Sequence, residues 1–259
     1  MQKAICVETI FTEFPFEERL RLVQEAGFEC VEFWTWQDKD VQKIRELCTA
    51  NGLQVVAFSG DQEFSLVGAA EREQYISFVR ESMVVAKVLG CRILVLHSNA
   101  LGENGVVLKR YDELSAEEKM ENIIETLKIL APLAEKEDIV LALEALNTRV
   151  DHPGYFLCHT EEAVKIAEAV GSSHVKILYD IYHMQIMEGN LIDTMTRYIC
   201  WIGHIHAADV PGRHEPGTGE INYSNIMRVL EGLKYKGAIG FELFPLRDSM
   251  EAVRAIKVL

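Results

Sequence analysis

The chain has 259 residues, of which 49% are hydrophobic and 25% are charged, a balance that is ordinary for a soluble globular protein. Its formal net charge of −14 opposes binding to nucleic acid or to acidic membranes, because such binding depends on cationic side chains that release counterions. No apolar run reaches the roughly 18 residues of a membrane span, and the first residues lack the pattern of a signal peptide, so we expect a cytoplasmic protein.

Short apolar runs alternate with longer amphipathic stretches from one end of the chain to the other. The short runs predict strands and the amphipathic stretches predict helices. The predicted strands cover residues 4–8, 30–34, 54–59, 92–97, 139–144, 175–180, 202–208 and 238–242. The predicted helices cover residues 16–26, 41–51, 69–89, 116–136, 160–170, 190–200, 223–233 and 248–258. Four helices are predicted to end at a left-handed glycine that precedes a strand, namely Gly27, Gly52, Gly90 and Gly171.

Eight strands that alternate with eight helices over about this length predict an α/β protein with the (β/α)8 TIM barrel fold. A doubly wound open sheet is the alternative, but no GxGxxG follows the first strand to favour it. No linker rich in proline, glycine or serine divides the chain. We therefore expect one domain over residues 1–259.

Strands five to eight each end in a side chain that can bind a metal: Glu144, Asp180, His206 and Glu242. Any one of them alone is more typical of a capped helix or an ion pair. Catalytic groups of such barrels lie at the C-terminal ends of the strands, and neighbouring strands are about 4.8 Å apart, so the four could converge on one ion. Three carboxylates and one imidazole favour a hard divalent cation, Mg, Mn or Co, over a structural zinc.

Several segments around these residues resemble one known family. YDIYHMQIMEGN and GHIHAADVPGRHEPGTGEINY, with LEALN before them and FELFP after them, resemble the hydroxypyruvate isomerase family of xylose-isomerase-like sugar isomerases and epimerases. The resemblance is specific mainly from residue 139 to residue 245. It implies that Glu144, Asp180, His206 and Glu242 bind one divalent metal ion, and that Glu144 and Glu242 also act as the catalytic acid and base.

The resemblance further implies that His183 and Arg213 contact the substrate. The planar guanidinium of Arg213 suits a substrate carboxylate. His97 ends strand four and Glu32 lies in strand two, so each is predicted either to line the pocket or to fill the barrel, and we include His97 among the substrate-binding candidates. His152 lies near a turn and is predicted to be a surface residue.

The chemistry expected of such a site is proton transfer between adjacent carbons of a hydroxy-carbonyl compound through a cis-enediolate. A divalent metal stabilises the developing negative charge, while one group takes the proton and another returns it. By resemblance, the reaction is the isomerisation of hydroxypyruvate to tartronate semialdehyde. A ketose 3-epimerase acting on a free sugar uses the same intermediate and stays open, because Arg213 favours an acid whereas His206 is shared with the epimerases.

Two other classes of protein are weaker alternatives. A metal-dependent endonuclease of this superfamily would need more metal ligands and a basic groove, which a net charge of −14 opposes. A barrel that only binds a metabolite would not need the four ligands. The expected partner is a small-molecule substrate, with no nucleic acid and no membrane, and relatives are usually dimers or tetramers, so we expect a homo-oligomer.

Overall fold

The structure, a computed structural model that describes residues 1–259, closes eight parallel strands into a barrel in chain order. The strands are β1 (Gln2–Cys6), β2 (Cys30–Phe33), β3 (Gln54–Ser59), β4 (Ile93–His97), β5 (Val140–Glu144), β6 (Val175–Asp180), β7 (Ile202–His206) and β8 (Ala238–Phe241). Strand β8 returns to β1, with Gly240 opposite Ala4. The predicted (β/α)8 TIM barrel is therefore confirmed, and the open sheet is excluded. Strand β1 begins and ends earlier than predicted.

Nine α-helices surround the barrel: α1 (Phe16–Glu25), α2 (Val41–Asn51), α3 (Arg72–Leu89), α4 (Ala116–Glu137), α5 (Thr160–Val170), α6 (Ile181–Met187), α7 (Leu191–Tyr198), α8 (Tyr223–Gly232) and α9 (Ser249–Lys257). Short 3-10 turns lie at Ala69–Glu71 and Glu103–Gly105. All four predicted glycine stops have positive φ, from 65° at Gly52 to 84° at Gly27. None of the helices combines the length and the apolar character that crossing a membrane requires.

Helix α6 is the element that the sequence analysis missed. It follows β6 directly and has only seven residues, too few for a helical period to stand out in the sequence. Its N-cap is Asp180, whose Oδ1 accepts hydrogen bonds from the backbone N–H groups of Tyr182 and His183 at 2.7 and 3.1 Å. Asp180 therefore caps helix α6 through Oδ1, while its other oxygen, Oδ2, faces His206.

Successive side chains of a strand point to opposite faces, and this alternation directs the candidate ligands into the barrel. Leu141 and Leu143 of β5 face outward and join the main hydrophobic core, together with Leu127 and Leu130 of α4. Glu144 has the opposite orientation. The same parity places polar residues inside at the C-terminal ends of β6 and β7, where Asp180 pairs with His206. Below them lies a small apolar cluster of Ala57, Val95, Ala142 and Leu178.

Candidate metal centre and active site

The four side chains predicted as metal ligands converge at the C-terminal end of the barrel. Glu144, Asp180 and His206 are the last residues of β5, β6 and β7, and Glu242 follows β8. One ligand atom from each lies within 4.8 Å of the others, and all four residues are buried. From Nδ1 of His206, the nearest oxygens are 3.2 Å away on Glu242, 3.6 Å on Glu144 and 4.0 Å on Asp180.

The donor set fits a divalent cation. Ligand atoms about 2.1 Å from one octahedral ion lie roughly 3 to 4 Å from each other, which matches the three distances from Nδ1 of His206. Two of the atoms that face the centre, Glu144 Oε1 and His206 Nδ1, are buried without a hydrogen-bond partner. Burial raises the pKa of Asp180 to about 7, and the carboxylates of Glu144 and Glu242 add to the rise against the opposing charge of Arg213. A bound cation would relieve both conditions.

His97 lies in the wall of the cavity between two carboxylates. Its Nδ1 is 2.8 Å from Oδ1 of Asp61, and its Nε2 is 3.2 Å from Oε2 of Glu144. Burial favours the neutral ring, but these two neighbours raise the pKa of His97 to about 10. Asp61 also accepts a hydrogen bond from the hydroxyl of Tyr75 at 2.8 Å. The sequence analysis did not single out Asp61, because it follows strand β3 in a polar stretch without a motif.

Glu242 is also contacted by Arg213 and Trp34. The Nη2 of Arg213 lies 2.8 Å from Oε2 of Glu242, and the indole Nε1–H of Trp34 donates to Oε1 at 2.6 Å. The guanidinium lies 5.3 Å from the ring centre of Tyr182 and 5.9 Å from that of Phe244. Burial opposes ionisation of Glu242, but Arg213 and His206 keep its pKa well below the ordinary value.

His183 presents a single hydrogen-bond donor to the site. The backbone N–H of Asn147 donates to its Nδ1 at 3.2 Å, so the ring proton of the neutral form lies on Nε2. Burial and the nearby Arg213 keep the pKa of His183 well below the usual value and hence the ring neutral. Its Nε2 is 3.6 Å from Oδ2 of Asp180 and has no hydrogen-bond partner. A substrate oxygen could accept this proton.

A cavity of about 640 Å³ opens above the four converging side chains. Residues 99–105, in the loop after β4, form one wall, and Phe33, Trp34 and Phe58 are among its apolar lining. His152, predicted to be on the surface, is only 6% exposed and lines this cavity. Its Nδ1 lies 2.7 Å from the carbonyl oxygen of Gly105. The surface prediction was wrong because the loop after β4 covers His152. This contact joins segments that are far apart in the sequence.

The family model described as xylose isomerase-like TIM barrel matches residues 20–258. The chain belongs to this family. A relative from Escherichia coli (strain K12), named hydroxypyruvate isomerase, is 34% identical over 253 residues, covering 95% of this chain and 94% of the relative. Another from Cupriavidus necator, named 2-oxo-tetronate isomerase, is 32% identical and covers 91% of this chain and 90% of the relative.

Among solved structures, one described as AP endonuclease, family 2, from Brucella melitensis superposes with a TM-score of 0.88 at 31% identity, covering 100% of this chain and 99% of that one. The resemblance drawn from the strand-end motifs is confirmed over nearly the whole length. As a member of the xylose isomerase-like family with relatives named isomerases, the protein is an isomerase-type enzyme.

Proposed function

We propose that this xylose isomerase-like barrel is a divalent-metal-dependent isomerase of a short hydroxy-carbonyl acid. The substrate that we favour is hydroxypyruvate, converted to tartronate semialdehyde. The observation that carries the proposal is the convergence of Glu144, Asp180, His206 and Glu242 at one buried point beneath a cavity. The E. coli relative named hydroxypyruvate isomerase supports the same substrate.

Glu144 and Glu242 are the proposed acid and base. A divalent cation bound by the four residues would stabilise, as a Lewis acid, the negative charge of the cis-enediolate. One carboxylate takes the proton from carbon, and the other returns a proton to the neighbouring carbon. Although burial opposes ionisation of Glu144, the nearby imidazoles of His206 and His97 keep its pKa well below the ordinary value. Both groups therefore start ionised: one can take the proton from carbon, and the other can take the proton of the substrate hydroxyl and return it to the neighbouring carbon.

Neighbouring side chains orient both carboxylates, and Arg213 also contacts Oε2 of Glu242 at 2.8 Å. Nε2 of His97 lies 3.2 Å from Oε2 of Glu144, and Trp34 donates to Oε1 of Glu242. The remaining oxygens, Oε1 of Glu144 and Oε2 of Glu242, are the ones that approach His206. Proton transfer depends on such fixed geometry, so these contacts support the assignment of both groups.

Arg213 and His183 are the proposed substrate-binding residues. The guanidinium of Arg213 is largely covered beside Glu242, with 12% of the side chain exposed, and lines the cavity, where it can pair with the carboxylate of an acid substrate. The Nε2–H of His183, unpartnered and buried, can donate to a substrate oxygen. Both ring nitrogens of His97 face carboxylates, those of Asp61 and Glu144. Contact between His97 and the substrate therefore stays a prediction.

The test is to compare hydroxypyruvate with fructose as substrates for the purified protein, with Mg or Mn and after chelation. We expect hydroxypyruvate to be converted to tartronate semialdehyde only when metal is present. Activity that survives exhaustive chelation would contradict the metal-dependent mechanism. Epimerisation of fructose without turnover of hydroxypyruvate would instead assign the protein to the ketose 3-epimerases.

The size of the cavity is the observation that keeps the 3-epimerase as second candidate. A volume of about 640 Å³ lies within the usual range for ligands much larger than a three-carbon acid. The relative named 2-oxo-tetronate isomerase makes a longer acid a useful third substrate for the same assay. The net charge of −14 disfavours the DNA substrate suggested by the name of the Brucella protein.

A further inference from the structure

Glu32 is a buried carboxylate that lies directly behind His206. It belongs to β2 and is 3% exposed. Its Oε2 lies 2.9 Å from Nε2 of His204, and its Oε1 lies 3.4 Å from Nε2 of His206. No lysine or arginine pairs with it in the structure. A carboxylate held in the barrel interior by two imidazoles alone is costly to bury, so its position calls for a functional explanation.

The neighbouring strand leaves space for this carboxylate at Gly240, which pairs with His206 across β7 and β8. A Cβ atom at Gly240 would lie 2.0 Å from Oε1 and 2.3 Å from Oε2 of Glu32. Gly240 is not among the residues with positive φ, so its backbone conformation does not require glycine. The missing side chain therefore serves to accommodate Glu32.

The two ring nitrogens of His206 face different groups: Nδ1 faces the candidate metal centre, and Nε2 faces Glu32. Nδ1 of His206 faces the carboxylates of Glu144, Asp180 and Glu242 and has no hydrogen-bond partner. A neutral imidazole that binds a cation through Nδ1 must carry its proton on Nε2. The acceptor nearest that position is Oε1 of Glu32, which lies 3.4 Å from Nε2 and has no hydrogen-bond partner.

We propose that Glu32 is a positioning residue that keeps the ring proton of His206 on Nε2 and thereby directs the Nδ1 lone pair at the metal. His204 fixes Glu32 in turn through the 2.9 Å contact. Such outer carboxylates orient metal-binding histidines and make them better ligands. The inference rests on the proposed metal site, and it concerns binding of the metal before any substrate is present.

The first experiment is a calorimetric titration of the metal-free full-length protein with Mn²⁺. Glu32→Gln keeps the shape of the side chain, but only one of its two terminal atoms is an acceptor, so it cannot replace Oε2 toward His204 and Oε1 toward His206 at once. We expect about 10- to 100-fold weaker Mn²⁺ binding, the usual effect of removing an outer-shell partner. The control is Glu215→Gln, because Glu215 is 5% exposed and lies outside the cavity lining. The Mn²⁺ affinity of Glu215→Gln should stay within about twofold of that of the unchanged protein.

The second measurement follows the histidine itself. In ¹⁵N NMR spectra of the Mg²⁺-loaded unchanged protein, we expect the ring proton of His206 on Nε2, and a proton on Nδ1 would overturn the inference. If the role of Glu32 were purely structural, Glu32→Gln would unfold at a lower temperature, but its Mn²⁺ affinity and the position of the His206 ring proton would not change. Gly240→Ala supplies a second variant, since its methyl group must displace the carboxylate and should also weaken Mn²⁺ binding.

The outcomes separate this inference from the proposed function. Equal Mn²⁺ affinity in folded Glu32→Gln and in the unchanged protein would overturn the positioning role and leave the metal site standing. Absence of Mn²⁺ binding by the unchanged protein would contradict the proposed metal site, and the role of Glu32 with it. Loss of affinity in Glu32→Gln, with Glu215→Gln unaffected, is the result that supports the proposal.

Discussion

Different neighbours hold the carboxylates of Glu144 and Glu242. Glu144 approaches a histidine that Asp61 fixes from behind, whereas Glu242 contacts the guanidinium of Arg213 and the indole of Trp34. The charge of Arg213 stabilises ionised Glu242 directly. Glu144 and Glu242 therefore differ in environment although both lie at the C-terminal end of the same barrel, which suits two groups that take opposite parts in one proton transfer.

Removing the charge of either carboxylate is expected to abolish most of the activity. Glu144→Gln and Glu242→Gln should each lower kcat by at least about a hundredfold, because general acid–base groups typically contribute 10²- to 10⁴-fold. The measurement is the turnover of hydroxypyruvate at saturating Mn²⁺, with circular dichroism to verify folding. Glu117→Gln, on the exposed side of α4, is the control. Near-normal turnover in either active-site variant would refute the acid/base assignment.

Replacement of Arg213 separates an acid substrate from a neutral one. Arg213→Ala should raise KM for hydroxypyruvate about tenfold or more, since a hydrogen bond to a charged group contributes roughly 1.5–3 kcal/mol. The KM of Arg213→Lys should lie between those of the unchanged protein and Arg213→Ala, because lysine keeps the charge but loses the planar fork. Steady-state kinetics on hydroxypyruvate and on fructose make the comparison. An equal loss on both would show that Arg213 acts through Glu242 and not through a substrate carboxylate.

The loop between β7 and α8 carries Arg213 and is organised by one buried residue. Asp209 is fully buried, and its two oxygens accept hydrogen bonds from the backbone N–H groups of Val210, Gly217, Gly219 and Ile221 at 2.8–3.0 Å. At Gly219 the chain passes so close to Val210 that a Cβ would lie 2.1 Å from its carbonyl oxygen. The loop therefore has a fixed shape even though it contains no helix or strand.

Asp209→Ala should destabilise the protein and disturb the position of Arg213 together. It removes four hydrogen bonds, of which only the one from Ile221 is fully buried, at a cost of about 0.5–3 kcal/mol each, so we expect a loss of about 3 kcal/mol in the free energy of unfolding. Urea denaturation followed by fluorescence measures it. Asp112→Ala, at an exposed site, should stay within about 0.5 kcal/mol of the unchanged protein. A similar free energy of unfolding for Asp209→Ala and Asp112→Ala would show that Asp209 does not organise the loop.

Across the whole molecule, the barrel interior holds more negative than positive charge. Buried carboxylates include Glu32, Asp61, Glu144, Asp180 and Glu242, and Arg213 is the arginine that joins them in the cavity lining. Like charges that are buried together oppose folding. A divalent cation that binds only the folded state would offset this cost, which links metal content to stability.

Metal should therefore raise the thermal stability of the protein. At a Mn²⁺ concentration of 100 Kd the stabilisation is about 2.7 kcal/mol, which corresponds to about 5–10 °C in Tm for a protein of this size. Differential scanning calorimetry with Mn²⁺ and with chelator measures the difference. The His206→Ala variant should lose most of the shift. An equal Tm under both conditions in the unchanged protein would count against a metal bound by these residues.

The sequence by itself determined the barrel and the strand-end residues. Strand and helix periods are local properties, so eight strands and eight of the nine helices could be predicted, and the four candidate ligands followed from the end of each apolar run. Helix α6 was lost because seven residues are too few for a period. The family resemblance lay in the same local motifs and was confirmed across residues 20–258.

Only the tertiary structure decided which distant side chains meet around those residues. Glu32 contacts His204 and His206 across the barrel, Asp61 contacts His97, and the loop after β4 covers His152. No local pattern encodes these contacts. They depend on the register in which eight strands close and on a glycine at position 240 that leaves room for a carboxylate from another strand, and packing of the whole chain fixes both.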